Sequence, residues 1–153
     1  MRLQSNQRKG NVTVIIRAAG PNDSVAIAVL MHQLGYDISL ERIRENLSSS
    51  VESASDAVLV ACEDDIAVGC VSLHALPLFH MLGSLGRITS FVVDEKHRGR
   101  GIGQMLIQAA DRWFVSVGCV KAEVTSGDVR IEAHRFYERE GFMRDGQRLS
   151  KKI

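Results

Sequence analysis

Several features that mark specialised chains are scarce in this sequence. Of its 153 residues only two are proline, 5% are aromatic and three are cysteine. Cys62, Cys70 and Cys119 form neither a CxxC pair nor an even set, which argues against a disulfide framework or a cysteine-based zinc site. They read as reduced, mostly buried thiols. No apolar run approaches the roughly 18 residues that a membrane span requires. The opening residues, MRLQSNQRKG, lack the apolar core of a secretion signal, so a cytoplasmic location away from membranes is expected. Nor is there an excess of one charge: 19 basic and 18 acidic side chains leave a formal charge of +1. That balance gives no global attraction for nucleic acid, and any basic site must be local.

What remains is ordinary globular material, 45% hydrophobic and 24% charged, at the size of one domain with a single core. Residues 1–10 are polar and expected to be flexible, with one domain over 11–153. The pattern predicts a strand over 12–16, closed by Arg17, and a helix between GPNDS and Tyr36. A second helix is expected over 39–47, ended by the serine-rich run SSSVESAS. Two strands over 56–62 and 66–75 are joined by the polar turn Glu63-Asp64-Asp65. Then come a strand over 86–94, a helix from 102, a strand over 120–125 and a helix over about 129–140 stopped by Gly141. The tail suggests one or two strand pieces around Asp145-Gly146. Strands alternating with helices, plus a central hairpin, predict a mixed α/β sheet with helices on both faces.

The most informative stretch is HRGRGIGQMLIQAADRW, residues 97–113. Its helix has an apolar stripe through Ile102, Met105, Leu106, Ala109, Ala110, Trp113 and Val117, so burial of that face needs no ligand. The turn ahead of it is different. Three glycines add entropy to the unfolded chain without an obvious packing return, which suggests that something approaches the backbone. A helix N-terminus offers unpaired N–H groups and partial positive charge, and Arg98 and Arg100 are suited to a diphosphate.

Spacing narrows the phosphate. A P-loop would follow Gly103 with Lys-Ser or Lys-Thr, where this chain has Gln104-Met105. A dinucleotide fingerprint would end in a small residue, where Gln104 or Leu106 stands. The run Arg98-Gly99-Arg100-Gly101-Ile102-Gly103, after a strand ending in Val92-Val93-Asp94, instead resembles the coenzyme A diphosphate site of the GNAT family of acyl-CoA N-acyltransferases. That motif is written Arg/Gln-x-x-Gly-x-Gly/Ala, and every position fits. The segment TSGDVRIEAHRFYEREGF, residues 125–142, is similar to the family's second site segment. The likeness is strong over 86–142 and topological before that.

The resemblance implies the GNAT fold and acetyl-CoA as co-substrate, with no metal. It implies a pantetheine arm laid along Phe91, Val92 and Val93 as an added strand. It also implies contacts from the turn over 98–103 and from Ser126, Ala133, Phe136 and Tyr137. Tyr137 is then the acid that protonates the departing thiolate. Taken alone, Phe136 and Tyr137 could simply bury against the sheet, and Phe91, Val92 and Val93 read as core strand.

No base is evident. Many relatives place a glutamate on the strand before the glycine turn, where this chain has Arg87, Thr89 and Ser90. His74, His80, Glu132 and His134 are alternatives, since histidine ionises near neutrality, and a water chain is favoured slightly over all of them. His74 and His80 lack a third ligand at metal-site spacing.

The acceptor is expected to be a small primary amine, with a loose resemblance to aminoalkylphosphonate N-acetyltransferases in the segment 73–94 and in the Ala-His-Arg-Phe-Tyr run. Arg17, Arg87, Arg42 and Arg44 could recruit an anionic acceptor or be plain surface charges. A non-catalytic acyl-CoA sensor and a modifier of protein or peptide amines stand as alternatives. Whether an exposed strand edge pairs two copies into a homodimer is open.

Overall fold

A computed structural model describes residues 12–127 and 130–153; the expected flexible segment over 1–10 lies outside them. Five strands, β1 (Val14–Ala18), β2 (Asp56–Glu63), β3 (Ile66–Pro77), β4 (Ser84–Val93) and β5 (Cys119–Val124), lie side by side in chain order. The first four are antiparallel and β5 joins β4 in parallel. The sheet is mixed, as the alternation of elements and the central hairpin predict.

Neighbouring residues of the central strands are buried on opposite faces, Val60 with Ala61 and Cys70 with Val71, because both faces are covered. Over one face lie α1 (Ser24–Leu34) and α2 (Leu40–Glu52), whose Ile27, Leu30, Ile43 and Leu47 cluster with Val60, Cys62, Cys70 and Val92. Over the other lies α3 (Ile102–Ser116), with Ile102, Leu106, Ile107, Ala110 and Phe114 against Val71, Leu73 and Ile88. The last helix, α4 (Ile131–Arg139), adds Phe136 and Tyr137 to the α3 side.

Several boundaries differ from the sequence reading. Arg17 lies within β1, where its guanidinium meets Asp23. The serine run does not stop α2: the helix continues to Glu52, with the Ser50 hydroxyl donating to the Leu47 carbonyl at 2.8 Å, so that hydroxyl is satisfied within the helix. Glu63 belongs to β2, leaving a two-residue turn in which Asp64 and Asp65 have φ of 50° and 63°, the arrangement whose twist suits a hairpin. β4 begins at Ser84, two residues before the expected start at 86, and Asp94 lies beyond its end. The expected strand pieces near Asp145-Gly146 are absent: residues 142–153 carry no strand. Beyond Phe142, which packs beside Tyr137, the apolar Met143, Leu149 and Ile153 are almost wholly exposed, so they do not form the buried face that fixes a strand. The tail is held by side chains, Lys121 to Asp145 and Arg148 to the Thr125 hydroxyl.

Candidate active site

The site exists because β4 and β5 part company. Their register runs only to Ile88 opposite Val124, while β4 continues on β3 as far as Val93 opposite Gly69. At the parting point the β3–β4 register slips: Leu73 faces Ile88 and Ser72 faces Ser90, leaving Thr89 as an extra residue. Such a bulge sharpens twist and bends its strand. The edge of β4 over 89–93 therefore borders a cleft of about 1350 Å³ instead of a strand.

The glycine turn closes one end of this cleft. Asp94 starts it, accepting from the Lys96 amide and paired with the His97 Nδ1 at 2.6 Å. The Gln33 side-chain amide also donates to Asp94 at 2.7 Å, tying α1 to the turn. These bonds, led by that from Gln33, hold the Asp94 carboxyl below the usual carboxylate range.

Gly99 and Gly101 have φ of +75° and +78°, a region costly for any residue with a Cβ. The sequence argument that the glycines serve no structural purpose is thus corrected: the turn itself requires two of them. What points to a ligand is the empty space beside them. A Cβ on either would meet nothing within 4 Å, and no side chain caps the N-terminus of α3. Its first N–H groups are open to an anion.

Phe91, Val92 and Val93 line the cleft from β4, and Arg98, Gly99, Gly101, Ile102 and Gly103 from the turn. Ser126 follows β5, and Ala133, Phe136 and Tyr137 face in from α4. Arg98 donates from Nε to the Val93 carbonyl at 3.0 Å, which holds its guanidinium at the cleft. Arg100 does not join them. Its side chain turns to Glu63 at the β2–β3 hairpin, at 3.0 and 3.4 Å, so the expected second arginine on the diphosphate is instead a tether for the turn.

Tyr137 sits in an aromatic cluster, its ring centroid 5.9 Å from Phe91 and 5.6 Å from Phe142, while Phe136 stacks on Phe91 at 5.4 Å. Burial pushes the Tyr137 phenol up to about 12, with Arg130 acting weakly the other way. The group keeps its proton throughout the neutral range, as an acid must before donation.

A match to the model of the acetyltransferase (GNAT) family spans residues 27–142. The chain belongs to that family. This GNAT acyltransferase is 26% identical over 139 residues to the aminoalkylphosphonate N-acetyltransferase of Salmonella typhimurium, covering 90% of each chain. It is 29% identical over 132 residues to the aminoglycoside N(6')-acetyltransferase type 1 of Stenotrophomonas maltophilia, covering 83% of this chain and 84% of the other. Its fold superposes on an acetyltransferase of Trypanosoma brucei with a TM-score of 0.78 at 25% identity, covering 92% of this chain and 100% of that one.

The acyltransferase's other arginines are mostly committed. Arg17 grips Asp23, Arg87 pairs with Glu123 at 2.8 Å across β4 and β5, and Arg42 pairs with Glu45. Arg130 donates to the Leu34 carbonyl at 3.2 Å, linking α4 to α1 across the cleft, and Arg139 also lines it. Glu132 reaches the cleft wall, whereas His80 is exposed on the loop between β3 and β4. Sequence reasoning missed Gln33, Glu63, Asp56 and the role of Thr89. The first three meet their partners only through tertiary contact, and Thr89 is set apart by the slip in the β3–β4 register, which is not legible in sequence.

Proposed function

We propose that this acyltransferase moves the acetyl group of acetyl-CoA to the primary amine of a small molecule by direct attack with both substrates bound. The observation that carries the reading is the continuity of one cleft from the open glycine turn, along the edge of β4 beyond its pairing with β5, to the partly buried phenol of Tyr137.

The residues present fit the coenzyme. Amides at the start of α3, with the Arg98 guanidinium, would hold the diphosphate. Main-chain groups over 91–93 would pair with the pantetheine arm as a neighbouring strand does. When bound, the thioester supplies an electrophilic acyl carbon and a thiolate leaving group. The protein's part is to orient the amine, exclude water with the Phe91, Phe136 and Tyr137 cluster, and donate the phenolic proton to sulfur. The two curated relatives are named for aminoalkylphosphonates and aminoglycosides, which supports a small amine over a protein acceptor.

Thiol release from acetyl-CoA, followed over a panel of aminoalkylphosphonates, aminoglycosides and lysine peptides, tests the assignment. Turnover on a small amine supports it. Coenzyme binding without thiol release on any acceptor would instead mark a sensor.

A further inference from the structure

A polar network crosses β2, β3 and β4 beside the bulge. Asp56 stands opposite His74 in the β2–β3 register, and its Oδ1 lies 2.7 Å from His74 Nδ1. His74 Nε2 lies 2.7 Å from the Thr89 hydroxyl, which also lies 2.7 Å from the Ser72 hydroxyl. Ser53 donates to the other Asp56 oxygen at 2.6 Å. Donation from Ser53, then contact with His74, keeps the Asp56 carboxyl below its usual range and therefore ionised. An ionised Asp56 can only accept a hydrogen bond, so His74 Nδ1–H donates to it, and Nε2 is left as the acceptor for the Thr89 hydroxyl.

We propose that Asp56, His74 and Thr89 form a proton relay that deprotonates the acceptor ammonium. The inference rests on the acetyl-transfer reading above and supplies the base that β4 lacks as a carboxylate. Thr89 lines the cleft. It is also where an arm laid from the glycine turn back along Val93, Val92 and Phe91 arrives. The residue is out of register because of the bulge, and its hydroxyl oxygen still has room for an incoming N–H.

The proton count closes. One N–H bond of the ammonium breaks as its proton goes to Thr89 Oγ1, while the Thr89 proton passes to His74 Nε2. The freed nitrogen lone pair forms the C–N bond and the C–S pair leaves on sulfur, which takes the Tyr137 proton. The second proton lost by nitrogen returns Tyr137 to its phenol, and His74, whose side chain is 35% exposed, releases the first to water. Asp56 is a positioning residue: it fixes the ring and balances the imidazolium. The other charge facing His74 is Arg87, opposite it on β4 and itself paired with Glu123.

Thr89→Val, Thr89→Ser and His74→Ala test the relay by thiol release from acetyl-CoA between pH 6 and 10. The acceptor is 2-aminoethylphosphonate or neamine, whichever the unaltered protein turns over faster. Thr89→Val and His74→Ala are expected to lower kcat/KM roughly a hundredfold at neutral pH without changing acetyl-CoA affinity. The deficit should shrink as rising pH supplies free amine, and Thr89→Ser should restore the rate. An unchanged rate in Thr89→Val, or a deficit equal at every pH, overturns the relay and leaves acetyl transfer standing. An unaltered protein that turns over neither amine overturns the reading beneath it. Should His74→Ala fail to fold, the near-isosteric Thr89→Val and its serine counterpart decide the question.

Discussion

The Phe136 ring lies directly over Gly103: a Cβ built on Gly103 would stand 3.1 Å from two of its carbons. This contact joins the first turn of α3 to α4, and the ring cannot simply retreat because Phe91 stacks against it at 5.4 Å. Gly103→Ala should therefore displace Phe136 toward the cleft and destabilise the protein by about 1 kcal/mol, despite the better helix propensity of alanine. A lowered melting temperature together with weaker acetyl-CoA binding is expected. An unchanged affinity would place the coenzyme away from this ring.

Gly101 requires a different test, because space beside it is open and its constraint is backbone φ. Gly101→Val should cost about 1–2 kcal/mol in stability and weaken acetyl-CoA binding by more than tenfold in calorimetry, since the new side chain occupies the anion's approach. Tight binding retained by the folded variant would count against main-chain recognition of the diphosphate.

The two arginines of the turn should separate cleanly. Arg98 lines the cleft, whereas Arg100 is tied to Glu63. Arg98→Ala should reduce acetyl-CoA affinity in a salt-dependent way. Arg100→Ala should cost about 1 kcal/mol in stability, since Glu63 is the less exposed partner of the pair, and affect binding less. Equal losses in both would mean that Arg100 leaves Glu63 when the coenzyme is bound.

Replacing Tyr137 with phenylalanine preserves the ring contacts with Phe91 and Phe142 and removes only the acid. We expect kcat to fall about a hundredfold or more, with acetyl-CoA affinity and melting temperature nearly unchanged. With the phenol at about 12, its ionisation should cause no alkaline fall in rate at pH 9 or 10. Turnover equal to the unaltered protein would move the acid role elsewhere.

Asp23 is expected to contribute to acid stability near β1. It is buried, accepts two bonds of 2.8 Å from Arg17 and one from the Gly20 amide, and is held below its usual range chiefly by Arg17. A depressed carboxyl contributes stability that is complete above its unfolded value of about 3.9. That contribution is lost as pH falls through the lower folded value. Asp23→Asn should cost about 2 kcal/mol at neutral pH and flatten the fall in stability below pH 4 in denaturant titrations; an unaltered acid limb would assign that limb to other carboxylates.

The glycine turn, the stripe of α3 and the aromatic pair on α4 were legible in the chain because each is local. A helix repeats every 3.6 residues, a positive φ favours glycine, and neighbours in sequence are neighbours in space. The mixed character of the sheet needed only the alternation of elements and the central hairpin, whereas the order of the strands across it came from the structure. By contrast, Arg100 looked like an anion ligand because nothing in the run from 97 to 113 reveals that the tip of a hairpin brings Glu63 beside it. The serines after Leu47 looked like a stop because nothing local shows that the Ser50 hydroxyl finds its partner in the Leu47 carbonyl, one turn back in the same helix.

The sequence by itself determined a mixed α/β fold and a glycine-rich turn ahead of the α3 helix, through periodicity, turn chemistry and spacing. Tertiary structure decided how β4 parts from β5, which arginines are free, and that Asp56, 18 residues before His74, faces it across a strand pair. Those depend on register, and a slip of one residue would turn Asp56 to the other face of the sheet.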